Sequence, residues 1–316
     1  MKVLITGGSG FIGRNLAKYL SERTNYEITS TTFKNDKIKS FNREDIQWSI
    51  DLTKEKDIDY IFRGTHYDIV FDLASISGGF RFLEENASKV LKENMFMNLN
   101  VLDAAVKYGV KKILFASSAC VYPTHKIRKH FTEEDAYPID PENLYGLQKI
   151  YMENVYQAYS KKYPIEVYLP RLQGIFGPLV QYKGIKALGL ANLIYKIMLL
   201  KDGETLEVFG DGTQMRNYLY IDDCIEAMLK LTNSNFHLPI NISYDESQKV
   251  SDSIRDICDI LGKKIVVKYT GDNSGVSYRS SSNNLAGKEI NWKPSINIKD
   301  AYKKVIDWIE RDMRKV

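Results

Sequence analysis

Short apolar runs alternate with helical stripes through the first 170 residues of the chain. Val3-Leu4-Ile5 breaks into Gly7-Gly8-Ser9-Gly10, after which Ile12, Leu16, Tyr19 and Leu20 recur at helical spacing. Strand, turn and helix are predicted there. Tyr26 to Phe33, rich in β-branched residues, predicts a second strand, and Ile46 to Ile50 a short third one. A helix over 54–63 follows, then a strand over Asp68 to Leu73 and a long helix ending near Tyr108. Beyond it lie a strand from Lys111 to Ser118, a helix from about Leu144 to Lys162, and a strand from Ile165 to Leu169. Strands alternating with helices imply right-handed crossovers, hence an α/β fold with a doubly wound parallel sheet.

Past Pro170 the rhythm changes. Gly174, Gly177, Pro178, Gly184 and Gly189 predict a long loop crossing to a second lobe. A turn and short strand over 202–211, a helix over 222–232, and a strand over Pro239 to Ser243 that returns to the sheet come next. Helix 250–261, strand 264–269 and a last helix near 298–312 complete a smaller α+β lobe. The expected division is a dinucleotide-binding domain over 1–170, rejoined by 217–245, and a mainly substrate-binding lobe over 171–316. Ligands of such sheets bind beyond the carboxyl ends of the strands, so the cleft between the lobes is the expected site.

Gly7, Gly10 and Gly13 punctuate the first turn. Glycine there allows a tight turn, close approach of backbone to a pyrophosphate, and close packing of helix on strand. The helix start, with Phe11 and Ile12, then offers free amides and a positive dipole end to the phosphates of a Rossmann-type dinucleotide site. An acid about 20 residues on would hold the adenosine ribose and select NAD. Ser30-Thr31-Thr32-Phe33 stands there instead, followed by Lys34. A missing acid and a nearby base lean toward NADP, with Thr32 and Lys34 as partners of its 2′-phosphate. In the competing account Lys34 is a solvated loop charge and Asp36 does the acid's work, which selects NAD.

Composition narrows the class further. At 316 residues, 44% hydrophobic and 27% charged, the chain is globular, one large domain or two intimate ones. The net charge of +4 is spread without a long basic block, so neither nucleic acid nor membrane is an expected partner, and an anionic small molecule is. Cys120, Cys224 and Cys258 are widely spaced, which argues for a reducing compartment. His66, His125, His130 and His237 lack ligand-like spacing with cysteine or carboxylate, so no metal is expected. The N-terminus enters a strand directly and no apolar run reaches the roughly 18 residues of a membrane span; a cytoplasmic protein is expected.

Two further stretches carry chemistry: Phe115 to Pro123 at the end of a strand, and Tyr145-Gly-Leu-Gln-Lys149 at the start of a helix. Spacing of four puts Tyr145 and Lys149 on one face. An ammonium nearby favours the phenolate, so the tyrosine is expected to have a lowered pKa and to take a proton from a sugar hydroxyl held by Ser118. Tyrosine four residues before lysine also occurs at Tyr108/Lys112, Tyr122/Lys126 and Tyr182/Lys186. Position singles out Tyr145, which opens a helix just after a strand-end serine and the Pro138/Pro141 loop.

These stretches together resemble the extended short-chain dehydrogenase/reductase family of nucleotide-sugar epimerases, dehydratases and reductases. The likeness includes the glycine turn, Asp51-Leu52, Asp72-Leu73-Ala74, Asn94, Ser118, Tyr145 with Lys149, 171–178, and Phe209 to Arg216 leading to Ile221-Asp222-Asp223. It implies cofactor contacts from Asp51, Leu52, Leu73, Ala74, Tyr145 and Lys149, and a diphosphate clamp from Arg216 and Arg279. An ordinary surface ion pair is the competing account of each arginine.

Within that family the chain is similar to the branch of GDP-mannose 3,5-epimerases. The similarity is carried by Ser75-Ile-Ser-Gly-Gly-Phe80, Ser117 to Pro123, Tyr182-Lys183-Gly184, Val276 to Leu285 and Trp292-Lys-Pro294. It implies substrate contacts from Gly78, Gly79 and Lys183, and proton exchange at C3 and C5 of a sugar whose C4 is transiently a ketone. Cys120 is one acid/base group; strand alternation would put it on the same face as Ser118. A small apolar residue behind a sheet is its competing account. Lys186 is the choice for the second group, with Lys183 beside it, although ungapped alignment puts Leu188 at that place. Family dehydratases carry an Asp-Glu pair where this chain has Ala119-Cys120, which disfavours loss of water. Gly174 stands where the family usually has asparagine, so that contact is lost or replaced.

The expected function is therefore a nucleotide-sugar epimerase acting on a GDP-sugar. Its alternatives are an NADPH-dependent reductase of a 4-keto nucleotide sugar and a non-catalytic NAD(P)-binding sensor. Helix 94–106 is apolar nearly all round and helix 147–159 has a broad aromatic stripe, which together predict a homodimer.

Overall fold

The computed structural model describes residues 1–33, 46–123, 130–141, 143–244, 246–271 and 277–315. Lys34 and Asp36 lie outside the described residues. The first unit forms as its glycines require: β1 (Lys2–Thr6) is buried from Val3 onward, and α1 (Phe11–Arg23) starts at Gly10. β2 (Glu27–Thr32), β3 (Ile46–Ser49), α2 (Glu55–Phe62) and β4 (Ile69–Asp72) follow.

The long helix expected to run to Tyr108 is two, α3 (Phe80–Glu85) and α4 (Ala87–Lys107), broken at Asn86, whose side chain donates to the Phe82 carbonyl at 2.9 Å. The strand expected over 111–118 is also two. β5 (Lys112–Phe115) lies between its neighbours in the sheet, whereas β6 (Ser117–Ser118) pairs with one strand only. After α5 (Leu144–Lys162), β7 (Glu166–Leu172) runs through Pro170. On one edge the proline falls between the pairing with β5, which ends at Tyr168, and the pairing with β6, which begins at Arg171, so its missing N–H interrupts neither of those two ladders.

Beyond lie β8 (Ile175–Phe176), α6 (Gly189–Leu199), β9 (Thr205–Val208), β10 (Met215–Arg216), β11 (Leu219–Tyr220), α7 (Ile221–Thr232) and β12 (Pro239–Ile242). The chain ends with β13 (Gln248–Lys249), α8 (Val250–Leu261), β14 (Val266–Tyr269), β15 (Tyr278–Arg279), α9 (Asn284–Ile290) and α10 (Ile298–Met313). Neither α6 nor α9 was expected from the apolar pattern.

The large sheet is parallel, in the order β12-β7-β5-β4-β1-β2-β3. Its order reverses between β1 and β4, the place where such sheets open a crevice. Alternation along β1 feeds both faces: Val3 and Ile5 join one apolar core, Leu4 the other. A small sheet, β13-β10-β15, sets Arg216 in register with Arg279 on the neighbouring parallel strand. No helix among the described residues is long and apolar enough to cross a membrane.

Candidate active site

At the crevice, the turn after β1 is a cradle that side chains would fill. Gly7 has φ +66°, and a Cβ there would lie 2.8 Å from the Ala74 Cα. A Cβ at Gly13 would meet the Gly7 carbonyl oxygen at 2.4 Å, so α1 sits directly on the turn. The backbone of the turn is tied to β2: Gly8 N–H donates to the Thr31 carbonyl at 2.7 Å and Gly7 N–H to Thr31 Oγ1 at 3.2 Å. Thr6 Oγ1 ties it to β4, accepting from the amides of Leu73 and Ala74, both at 3.1 Å. No side chain caps the start of α1, and its first turn, which includes Phe11 and Ile12, holds no acid. Uncapped amides at a positive helix end beside bare backbone fit a dinucleotide's pyrophosphate.

Other candidate cofactor residues sit nearby in the same sheet. Thr32 is 4% exposed, and its carbonyl takes the Ile50 N–H at 2.9 Å; the hydroxyl that touches the glycine turn belongs to Thr31 instead. The Asp51 carboxylate accepts from the Thr53 amide and hydroxyl at 3.0 and 2.6 Å, which hold it below its usual pKa. Leu52 is buried and Leu73 half-buried.

Asn143 starts α5 by accepting the Gly146 N–H at 3.0 Å. A Cβ at Gly146 would lie 2.0 Å from the Cys120 carbonyl oxygen, so the first turn of α5, carrying Tyr145, rests against the segment carrying Cys120. That segment is a single 3-10 turn, Ala119–Val121, capped by Ser118, whose Oγ accepts the Cys120 N–H at 3.2 Å. Ser118 and Cys120 are thus gathered by a capped turn; the strand alternation expected for them ends at Ser118.

Lys149 is buried, its Nζ donating to the Ala116 carbonyl at 2.7 Å, 4.5 Å over the Phe115 ring and 5.6 Å from the Tyr145 ring centroid. Burial lowers its pKa to about 8, against the opposing charges of Asp72, Glu153 and Cys120. Burial also pushes the Tyr145 phenol above its ordinary value, Cys120 adding to the shift and the Ser75 hydroxyl working against it. The lowering expected from Lys149 is therefore overturned in these positions. Desolvation of the phenolate is the larger effect, and the ammonium is turned to the Ala116 carbonyl.

Two buried polar networks hold these groups. Asp72 accepts from Thr6 Oγ1, Asn98 Nδ2 and Tyr156 Oη at 2.7, 2.8 and 2.7 Å, and Gln148 donates to Asn98 at 2.9 Å. Arg171 forms a bidentate pair with Glu153, Nε to Oε1 at 2.9 Å and Nη2 to Oε2 at 2.7 Å, while Nη1 donates to Tyr122 Oη at 3.1 Å and the Glu133 carbonyl at 2.7 Å. Ser117 donates to the same Glu153 oxygen, which fixes β6 just before Ser118. Sequence reasoning missed Glu153, Asn98, Gln148 and Tyr156. Their signal was present: Asn94 and Asn98 are polar positions four apart in the apolar helix α4, and Gln148, Lys149 and Glu153 interrupt the apolar face of α5.

On the substrate side, Gly78 packs against Phe82, and Gly79 lies where a Cβ would be 3.0 Å from the Ala187 carbonyl. Lys186 Nζ stands 4.9 Å over the Phe82 ring, and Phe82, Leu83 and Val90 form the apolar cluster on which Tyr145 rests. Lys183 Nζ stands 5.1 Å over the Tyr182 ring and 5.9 Å from that of Tyr195. Gly174 has φ +60°, and a Cβ there would fall 1.9 Å from the Asn217 carbonyl oxygen, so the position has no room for asparagine as the chain is folded. Burial raises the pKa of the Tyr218 phenol, and the charge of Arg216, a hydrogen bond with Ser253 and the charge of Arg279 oppose the rise. Among the described residues no three His, Cys, Asp or Glu side chains gather as metal ligands do.

Residues 3–243 match the model of the NAD dependent epimerase/dehydratase family. The chain is 31% identical to GDP-mannose 3,5-epimerase of Arabidopsis thaliana over 319 aligned residues, covering 100% of this chain and 84% of that protein. It is 26% identical to a putative UDP-glucose 4-epimerase of Methanocaldococcus jannaschii, over 99% of both chains. The solved UDP-glucose 4-epimerase of Thermotoga maritima, with UDP-glucose, superposes with a TM-score of 0.89 at 23% identity, over 99% of this chain and 100% of that one. The chain thus belongs to the NAD dependent epimerase/dehydratase family, and with it to the NAD(P)-dependent extended short-chain dehydrogenase/reductase enzymes.

Proposed function

We propose that the protein is a nucleotide-sugar epimerase that oxidises C4 transiently and exchanges protons at C3 and C5, with a GDP-sugar as substrate. The observation that carries this is Cys120, held by the Ser118-capped turn against the first turn of α5, within electrostatic reach of Tyr145 and Lys149. A bound nicotinamide dinucleotide supplies a hydride acceptor and donor. The glycine turn, Phe11, Ile12, Asp51, Leu52, Leu73 and Ala74 would hold it.

The Tyr145 phenolate, whose charge Lys149 offsets, takes the proton of the C4 hydroxyl, which Ser118 orients. The carbonyl left at C4 acidifies the C–H bonds at C3 and C5. Cys120 removes a proton from one face of the ring and Lys186 returns one to the other; Gly78 and Gly79 leave room for the sugar, and Arg216 with Arg279 clamps the diphosphate. Lys186, over Phe82, suits this better than Lys183, which leans on Tyr182. No acid stands at the end of β2 among the described residues, which favours NADP over NAD; titrating the protein with NADPH and NADH decides between them. A working Cys120 thiol needs a reducing compartment, in keeping with a cytoplasmic enzyme. Phe96 and Tyr151, about half exposed on the adjacent helices α4 and α5, support a homodimer through that face.

The test is incubation with GDP-mannose in heavy water. Deuterium is expected at C3 and C5, and Cys120→Ser is expected to abolish its entry while leaving cofactor binding intact. Exchange at the wild-type rate in that variant removes Cys120 from the mechanism. Stoichiometric loss of NADPH absorbance with a 4-keto nucleotide sugar makes the protein a reductase instead.

A further inference from the structure

The loop after β4 brings a second hydroxyl, that of Ser75, to Tyr145. The residue that follows it is pinned on both sides: Ile76 N–H donates to Asn94 Oδ1 at 2.7 Å, and its carbonyl accepts from Asn94 Nδ2 at 3.1 Å. Ile76 also packs in the Phe82, Leu83 and Val90 cluster against which Tyr145 rests. Backbone held this way leaves Ser75 little freedom. Its Oγ is buried and makes no hydrogen bond among the described residues, a costly state for a hydroxyl in a folded interior. Two ionisable groups bear on the same residue: Cys120 from the turn after β6 and Lys149 from α5 itself.

We propose that Ser75 is a positioning residue for Tyr145, its hydroxyl donating a hydrogen bond to the tyrosine oxygen when that oxygen carries no proton. A neutral phenol has a proton of its own to donate; a phenolate only accepts, and a serine hydroxyl rotates to supply the missing donor. When the phenolate takes a substrate proton, the substrate O–H bond breaks, the tyrosine O–H bond forms, and Ser75 keeps its own proton throughout. The role rests on Tyr145 as the base of the proposed epimerase. The electrostatics at the phenol agree with it: the Ser75 hydroxyl lies close enough to oppose the upward push of burial.

The experiment is an ultraviolet titration of tyrosinate in the full chain, alone and with NADP, for the wild type, Ser75→Ala, Ser75→Thr and Tyr145→Phe. Subtracting the Tyr145→Phe curve isolates Tyr145. A hydrogen bond to a charged oxygen predicts that Ser75→Ala raises the midpoint by about one to two pH units, tenfold or more in phenolate at fixed pH, while Ser75→Thr stays near wild type. A midpoint unmoved in Ser75→Ala, or moved equally in Ser75→Thr, overturns the proposal. No substrate enters the titration, so a protein that turns over no nucleotide sugar refutes the epimerase and leaves this result standing. Where turnover is found, the acid limb of the kcat/KM profile moves by the same amount.

Discussion

Replacing Gly146 by alanine tests whether the close seat of α5 on the Cys120 turn is what aligns the reacting groups. The added Cβ would begin 2.0 Å from the Cys120 carbonyl oxygen and 2.7 Å from its carbon. Carbon and carbonyl oxygen approach to about 3.3 Å at closest, so the helix start and the turn must part by about 1.3 Å. Neither partner is a flexible side chain. Tyr145 rides on the helix start and Cys120 on the turn, and the separation falls directly between them. Misplacement of about 1 Å costs on the order of a hundredfold in rate, about 2.7 kcal/mol of barrier. The effect on folding is smaller: overpacking costs about 1–3 kcal/mol, and alanine regains about 1 kcal/mol of helix propensity. Gly146→Ala is therefore expected to lose about a hundredfold in kcat for deuterium exchange while urea unfolding shifts by at most about 2 kcal/mol. Gly189, with nothing within 4 Å of its ideal Cβ, is the control, and Gly189→Ala is expected to keep wild-type turnover. A Gly146→Ala enzyme with kcat within about twofold of wild type refutes the reasoning, because it would mean that the contact is not what sets the catalytic distance.

Glu153→Gln leaves the Arg171 guanidinium buried without its counter-charge and should cost about 3–5 kcal/mol in urea unfolding; a loss under about 1 kcal/mol would count against the pair as the clamp between α5 and β7. Lys149 has a folded pKa near 8, below its ordinary 10.5, so the unfolded chain binds the extra proton between those values and stability rises with pH across that window. Relative to Lys149→Met, the wild type should therefore gain in thermal stability from about pH 8 to 10.5, and a gap independent of pH would contradict the burial argument. Gly13→Ala pushes α1 off the Gly7 carbonyl and should weaken NADPH binding by more than about tenfold in a fluorescence titration. Gly174→Asn restores the residue usual at that place but sets a Cβ 1.9 Å from the Asn217 carbonyl, and should destabilise the fold; a stable variant with improved substrate affinity would show that the loop accommodates it.

The glycine turn was legible because its determinants are local. Three glycines at fixed offsets after an apolar run require a particular turn, and the packing of Gly7 on Ala74 and of Gly13 on Gly7 shows why no other residue serves. Cys120 was legible as a neighbour of Ser118 but for the wrong reason. Alternation assumes that the strand continues, whereas Ser118 accepts the Cys120 amide and turns the chain into a 3-10 turn, a local side-chain to backbone bond that competes with the ladder. The direction of the Tyr145 shift was not legible either. Proximity of Lys149 is a matter of spacing, but the balance between charge and desolvation depends on how deeply both groups are buried, which no four-residue interval encodes.

The buried networks explain why a site of this kind is hard to read from one chain and easy to break. Arg171 on β7 and Glu153 on α5 are eighteen residues apart, and each by itself would be an ordinary charge. Paired, they satisfy one another and leave Glu153 Oε1 to accept from the Ser117 hydroxyl and Arg171 Nη1 to donate to Tyr122 Oη and the Glu133 carbonyl. Those contacts clamp both flanks of the segment 117–122, on which Ser118 and Cys120 sit. Asp72 does the same for the cofactor side, drawing Thr6 of β1, Asn98 of α4 and Tyr156 of α5 to the end of β4, from which Leu73 and Ala74 run to the glycine turn. Lys149 stands between the two, biased by the charge of each, so the ammonium beside Tyr145 is itself set by the groups that hold the sheet together. Networks of this kind fix a single geometry where their groups are satisfied; here Gln148 Oε1 is buried with no partner among the described residues. The rigidity that the proposed proton exchange would demand is thus supplied from beneath Ser118 and Cys120, by the two buried networks.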